Sequence, residues 1–421
     1  MGINVTPVAG LSDEINEWRR RTGELINGEI LPYEKELWRG GSVEGSARDG
    51  DQARDARHAR RERVKRAVVA AGLWAPHLPQ EYGGAGLDFM SLAYVYEILA
   101  YAVGAASLFG IAAPNSGNAT ILVKYGTEEQ KQRWLLPLIA GEMESGFSMT
   151  EPDRAGSDPR SLATEAIREG DEWVINGHKW FTSNGWAADF FIVMCRAEDP
   201  SGEFARNGQM TQIIVPAHQP GVNIVRGIGI FGRDSSDHCE IRYENVRVPI
   251  ENTLGRVGQG HQAAQDRLGA GRVFHCMNAV GMMWRAFDLM VERSLVREVH
   301  GGLLKDKQFV QGFIADSFLD LQSARLMTIN AAERVARGDP DARTAISAIK
   351  VFVPAALHRV VDRAIQVWGG AGVTNDLPLA QMYLGARVLR LADGPDEVHR
   401  ILMAKNILRR YESGEGWNFG A

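Results

Sequence analysis

The sequence predicts a mainly helical fold with a central β-domain, and three observations carry that expectation. Apolar residues recur at helical spacing through roughly the first third of the chain. The pattern then changes to short β-branched and aromatic runs bounded by Gly, Asn and Pro. From about residue 257 helical spacing returns and holds almost to the end. The expected order is an N-terminal helical domain over 1–145, a β-domain over 146–256 and a C-terminal four-helix bundle over 257–421. A chain of 421 residues is too long for one small core, so two or three domains or subdomains are expected.

Taken in order, residues 11–38 place Leu11, Ile15, Trp18, Leu25, Ile26 and Ile30 on a helical stripe, broken at Gly40-Gly41-Ser42. Residues 43–63 mix Arg, Asp, His and Ala densely, which reads as a solvated loop or an exposed helix face rather than a binding tail. A helix over 64–72 leads into Pro76, Pro79 and Tyr82–Gly86, an irregular connection. Helices are expected at about 88–103 and 107–125, and Thr127-Glu128-Glu129 reads as the N-cap and acidic first turn of another, to about 140. Residues 172–175, 190–196, 211–215, 222–225 and 239–243 read as short antiparallel strands. Asn176-Gly177 is expected to be a two-residue hairpin turn. The bundle helices are expected at about 258–300, 306–337, 341–369 and 382–411. On the second, Val310, Phe313, Ile314, Phe318 and Leu321 mark a buried stripe.

Composition narrows the class. A hydrophobic fraction of 45% with 24% charged residues supplies enough apolar surface for a large core. A net charge of −5 offers no basic footprint, so nucleic acid is not an expected partner. Cys195, Cys239 and Cys276 form no C-x-x-C pair, which excludes a disulfide scaffold or zinc ribbon and leaves three buried small hydrophobes in a reducing cytoplasm. No apolar run approaches bilayer length and no signal-peptide pattern opens the chain, so no membrane partner is expected. Met1-Gly2…Thr6 fits the loose myristoylation pattern, which chance explains better.

Several motifs fail on context. Gly227-x-Gly229-x-x-Gly232 fits the dinucleotide fingerprint, but a further strand follows instead of the helix whose N-terminus would hold phosphate. It reads as a β-domain loop. The histidines show no metal-ligand spacing, and neither a G-x-S-x-G elbow nor a Walker loop occurs.

Six segments in a fixed order do carry information. They are Gly126–Lys131 with Pro137 and Gly141-Glu142; Phe147–Asp158; Ile175–Gly185; Asn245-Val246-x-Val248-Pro249 with Leu254-Gly255; Arg297-x-x-His300-Gly301-x-x-Leu304-x-x-x-Gln308; and Gln366–Gly372. Together they resemble the acyl-CoA dehydrogenase family over about residues 64–410, with one residue inserted between Pro152 and Ala155 and His300 where Phe is usual. Asp393-Gly394-Pro395-Asp396-Glu397-Val398-His399 and Arg267–Met277 resemble the branch of that family containing members ten and eleven.

The resemblance implies an N-terminal helical domain, a middle antiparallel β-barrel or sandwich and a C-terminal four-helix bundle. It implies FAD as cofactor, an acyl-CoA substrate, an electron-transfer flavoprotein or similar acceptor, and a homodimer or homotetramer. Met149 and Thr150 would hold the flavin pyrimidine edge, Phe181 would pack on the isoalloxazine, and Ser183 would bond near N5. Ser157 would sit by the thioester or the flavin phosphates. Arg297, Gln308, Gln366, Gly369 and Gly370 would reach the FAD of a neighbouring subunit, and Pro395 and Glu397 are further expected cofactor contacts. Arg272 and Gly394, with Ser157, are the expected substrate contacts. Asp393 stands where most of the family carries a Glu base, and the family's other base position reads Gly271 here. The implied reaction is α,β-dehydrogenation to the trans-2-enoyl-CoA, with Asp393 taking the α-proton and flavin N5 the β-hydride. Exclusion of water would raise the carboxylate toward a useful range. Three alternatives stay open: an oxidase of the nitroalkane-oxidase kind, a non-catalytic FAD or thioester binder, and an enzyme of 4-hydroxyacyl-CoA breakdown.

Overall fold

A computed structural model describes residues 2–38, 51–198, 209–232 and 235–418. The break expected at Gly40-Gly41-Ser42, the start of the charged 43–63 run, and Arg233-Asp234 after the glycine motif all lie outside the described residues. Contacts group the chain into two compact units. One comprises Met1–Lys35, Leu87–Ala106 and Gly269–Ala421; the other comprises Glu36–Gly86 and Ser107–Leu268.

The first unit is helical. Helix α1 (Asp13–Leu25) starts at Ser12, whose hydroxyl accepts the Ile15 N–H at 3.3 Å. Later elements of this unit are α3 (Phe89–Leu99), the 269–296 part of α5 (Gly260–Val296), α6 (Gln308–Ala336), α7 (Ala342–Trp368), α8 (Leu379–Leu389) and α9 (Asp396–Glu412). Helix α7 is the centre, burying Ile349, Val353, Ala356, Leu357, Val360, Val361 and Ala364 among α6, α8 and α9. With the turn after it, α7 is long and apolar enough to cross a membrane by length and composition, which corrects the expectation that no run approaches that length. More than half of the apolar window is buried inside the protein.

Two further expectations change here. The run 382–411 is two helices, α8 and α9, separated at Asp393-Gly394, because both residues take positive φ (56° and 101°) and Pro395 follows. The stripe expected on α6 is only partly its buried face. Phe313, Ile314 and Leu321 are half-buried and Phe318 is exposed, while Val310 is buried together with Ser317, Ala324, Thr328, Ala331 and Ala332. Small side chains let α6 lie close to its neighbours and leave Phe309, Phe318, Leu319 and Leu326 outward.

The second unit holds α2 (Asp51–Ala70), α4 (Asn115–Tyr125), the helical segment 128–140 and the main sheet. Thr127 caps that segment with a reciprocal box: its hydroxyl accepts the Gln130 N–H at 3.2 Å and Gln130 Oε1 accepts the Thr127 N–H at 3.1 Å. The strands are β1 (Ser145–Ser148), β2 (Glu165–Glu169), β3 (Glu172–Thr182), β4 (Phe190–Glu198), β5 (Gln209–Pro216), β6 (Val222–Gly227), β7 (Cys239–Pro249) and β8 (Thr253–Leu254). Their order is β6-β7-β3-β2-β4-β5-β8, with β1 beside β4. The sheet is not wholly antiparallel as expected. Strand β3 reverses tightly on β2, so β4, crossing back to the other side of β2, runs parallel to it and to β1.

Strand β4 is apolar at six successive positions because both its faces are covered. Phe191, Val193 and Cys195 enter one core with Trp173, Ile213 and Tyr243, whereas Phe190 and Ile192 enter another with Trp134, Leu135 and Leu122. Asn176-Gly177 is not a hairpin turn: β3 runs through it with a register shift against β7. The hairpin turns at Gly170-Asp171 instead. Gly177 is needed because a Cβ there would lie 2.3 Å from Thr164 Oγ1, and Asn176 Oδ1 accepts the Asn245 N–H at 2.8 Å.

Candidate active site

In the helical unit, the D-G-P turn between α8 and α9 presents Asp393. Asp tolerates the left-handed region better than most residues, since its short side chain bonds locally. Lys350 on α7 donates to the Leu389 and Ala392 carbonyls at 2.9 and 3.0 Å, capping the end of α8. Arg390 holds the buried Asp396 carboxylate at 2.8 Å, which fixes the start of α9. The Asp393 carbonyl accepts from Arg272 Nε at 3.0 Å and lies 3.2 Å from His399 Nε2. A carbonyl can only accept, so Nε2 carries the proton and Nδ1 accepts from the Ser347 hydroxyl at 3.2 Å. Burial, then Arg272, pushes His399 down to about 4 and keeps it neutral. The Asp393 carboxylate is met by His275 Nε2, 3.0 Å from Oδ2. Arg272 and His275 are one turn apart on α5 and so share a face. Between them Phe274 stacks on Tyr96 with centroids 4.5 Å apart and touches Phe89 at 4.8 Å, an apolar aromatic neighbourhood in the same unit.

The other expected contacts in this unit lie on its surface. Arg297 and Gln308, both exposed, flank a hairpin of β9 (Glu298–Val299) and β10 (Gly302–Leu303) that turns at His300 and Gly301, both at positive φ. Gln366, Gly369 and Gly370 are exposed where α7 ends, with the Gly369 N–H on the Gln366 carbonyl. The turn brings Arg272, Asp393, Gly394 and Pro395 together, and Glu397 stands exposed in the first turn of α9.

In the β-unit the site residues lie around the loop after β1. Thr150 and Trp180 are tied twice: the Trp180 N–H donates to the Thr150 carbonyl at 3.0 Å, and Thr150 Oγ1 donates to the Trp180 carbonyl at 2.8 Å. The Thr150 hydroxyl proton is thus spent within the protein, and its lone pairs are what it can offer outward. Next to it, Glu151 is buried and accepts from Ala163 N, Thr164 N, Thr164 Oγ1 and Lys179 Nζ at 2.7–2.9 Å. Burial works to raise this carboxyl, but Lys179 and the hydrogen bonds outweigh it and hold it low. Lys179 Nζ also donates to the Met149 carbonyl at 2.8 Å. The extra residue between Pro152 and Ala155 falls in an exposed turn that carries Ser157, so the anchorage at Glu151 is undisturbed.

Phe181 is held at φ 51° with 43% of its surface exposed, at a second register shift between β3 and β7. A bulky residue in left-handed backbone is costly, and such strain concentrates at functional positions. Trp180 meets its ring edge-on at 5.0 Å and His238 lies 6.1 Å away, while Ser183 Oγ sits 2.8 Å from His238 Nδ1. An aromatic ring held out beside Ser, His and main-chain groups fits a flat, hydrogen-bonding heteroaromatic such as a flavin.

Sequence reasoning missed His275, Lys350 and His399 around Asp393, and the Glu151–Lys179 pair. Lys179 was visible only as a motif letter, whereas the partners of Asp393 lie up to 121 positions away in the chain. For His275 the one available signal was its spacing of three from Arg272.

Comparison with known proteins gives the family. Models of the acyl-CoA dehydrogenase N-terminal, middle and C-terminal domains match residues 12–142, 146–246 and 258–408. Mouse acyl-CoA dehydrogenase family member 10 is 37% identical over 419 residues, 97% of this chain but 38% of that protein, so this chain spans well under half of it. The Mycobacterium tuberculosis protein named Probable acyl-CoA dehydrogenase FadE2 is 42% identical over 359 residues, 84% of this chain and 86% of its own length. A solved structure from Mycobacterium abscessus, provisionally described as an acyl-CoA dehydrogenase, superposes with a TM-score of 0.86 at 35% identity, covering 95% of this chain and 99% of that one.

Proposed function

The chain belongs to the acyl-CoA dehydrogenase family, whose members bind FAD, and from that premise we propose that it oxidises an acyl-CoA to the trans-2-enoyl-CoA with Asp393 as base. The observation that carries the reading is the Asp393 turn. Its carbonyl is pinned by Arg272 and His399 and its carboxylate is met by His275. A general base needs such fixation, since an ångström of misplacement costs about a hundredfold in rate. Bound FAD would supply the hydride acceptor for the β-hydrogen. Phe181 would pack on the flavin ring, Ser183 and the Met149–Thr150 main chain would bond its polar edge, and Arg272 steadies the turn that offers the carboxylate. Deprotonation by Asp393 leaves a neutral carboxyl that hands its proton on to solvent.

A second copy of the chain is part of the reading. Arg297, Gln308, Gln366, Gly369 and Gly370 are exposed, and beside the first two stand Val296 (72% exposed) and Phe309 (85% exposed). Large apolar side chains at such exposure favour cover by a partner surface. Electrons then leave to an electron-transfer flavoprotein or a similar acceptor.

Anaerobic titration of the FAD-loaded protein with a panel of acyl-CoAs, 4-hydroxy forms included, tests this. One thioester class is expected to bleach the flavin, and Asp393→Asn to slow bleaching by about 10²- to 10⁴-fold. Bleaching by Asp393→Asn at the parent rate rejects the assignment. Rapid reoxidation by oxygen with peroxide release moves it to an oxidase.

A further inference from the structure

We propose that His275 is the positioning residue of Asp393: its imidazole fixes the carboxylate of this short base. The inference rests on the reading of Asp393 given above and deepens it. An aspartate one methylene shorter than glutamate has less reach, and here it also sits in left-handed backbone at φ 56°. Its backbone is held by two donors to one carbonyl, Arg272 Nε at 3.0 Å and His399 Nε2 at 3.2 Å. Those bonds set the direction of the Cα–Cβ bond and leave the side-chain torsions to be fixed by something else. His275 Nε2, at 3.0 Å from Oδ2, does that. It comes from α5, one turn beyond Arg272, so a single helix face fixes the main chain and the carboxylate of one residue.

The other charged groups near this turn are engaged elsewhere. Arg390 and Asp396 neutralise each other. Lys350 is spent on the Leu389 and Ala392 carbonyls, and Arg272 and His399 on the Asp393 carbonyl. His275 is left facing the carboxylate, with 36% of its side chain exposed beside an Asp393 that is 23% exposed. No atom is transferred in this role.

The test compares His275→Gln, which keeps a side-chain N–H donor, with His275→Leu, which keeps the volume and loses it. Both are loaded with FAD and mixed anaerobically with the thioester that bleaches the parent. His275→Leu is expected to slow bleaching at saturating thioester by about 10- to 100-fold with the half-saturating concentration unchanged. His275→Gln is expected to stay within about threefold. The inference is overturned if His275→Leu bleaches at the parent rate, or if His275→Gln is as slow as His275→Leu. Asp393→Asn is run alongside. If it too bleaches normally, the base assignment has failed; if it is dead while His275→Leu is normal, only the role of His275 has.

Discussion

The two groups of candidate residues, one in each unit, are built on opposite principles. In the β-unit the anchorage around Glu151 and Lys179 is buried, saturated with hydrogen bonds and drawn largely from residues within about thirty positions of one another. In the helical unit the Asp393 turn draws on α5, α7, α8 and α9, and its carboxylate and the histidine that meets it are both partly exposed. The first arrangement is a scaffold in which charge is locked. The second leaves a carboxylate open to solvent, as the proposed proton transfer requires. Buried pairs resist a change of charge because moving a proton leaves an uncompensated charge in a poor dielectric.

The largest expected effect comes from breaking the locked half. Lys179→Met leaves the Glu151 carboxylate buried without its cation and removes the donor to the Met149 carbonyl. Loss of one partner from a buried pair costs about 3–5 kcal/mol. The variant is expected to unfold at markedly lower denaturant and to retain little FAD. Adding Glu151→Gln, which removes the stranded charge, is expected to recover part of that stability. If the double variant is no more stable than Lys179→Met alone, the pair is not the anchor described here.

The same contrast explains what could be read from the sequence. The helical, β and helical order followed from apolar period, because burial sets period wherever an element has one covered face. The flavin-loop motif was legible because its partners are near in sequence. Asn176-Gly177 misled: the turn preference of that pair is real, but here Asn176 bonds across to Asn245 and Gly177 admits Thr164, both demanded by tertiary approach. The stripe on α6 misled at Phe318, since apolar spacing alone does not say which large residues a neighbouring helix covers. Asp393 was singled out by its place in a motif. Its surroundings were not, because nothing local in Arg272, His275 or Lys350 points to a turn 43 or more positions further along the chain.

A milder perturbation sharpens the comparison from the side of the helical unit. At Gly394 a Cβ would lie 2.9 Å from His399 Nε2, in a backbone with φ 101° that L side chains rarely adopt. Gly394→Ala is expected to cost roughly 1–3 kcal/mol in strain and to displace Asp393. The bleaching rate per bound FAD is expected to fall by about a hundredfold. An unchanged rate per bound FAD would show that this turn does not place the base.

The smallest effect is a pH dependence of stability from His399. Burial, then Arg272, depresses its folded-state value to about 4, against about 6.5 in an unfolded chain. Between those values the unfolded state binds the proton that the folded state refuses, so stability is unaffected above about 6.5 and declines as pH falls toward 4. At pH 5.5 the contribution is about 1 kcal/mol relative to pH 7.5. His399→Gln keeps a donor for the Asp393 carbonyl and cannot titrate, so its stability should fall less between pH 7.5 and 5.5 by about that amount. His77, in the β-unit, is likewise pushed to about 4 by burial, so His77→Gln should flatten the same curve. The two differ in what else they touch: His399 bonds the main chain of the base, and His77 does not. His399→Gln should therefore also change the bleaching rate, while His77→Gln flattens the stability curve alone. An equal effect of both on bleaching would mean that the hydrogen bond to the Asp393 carbonyl does not help to hold the base.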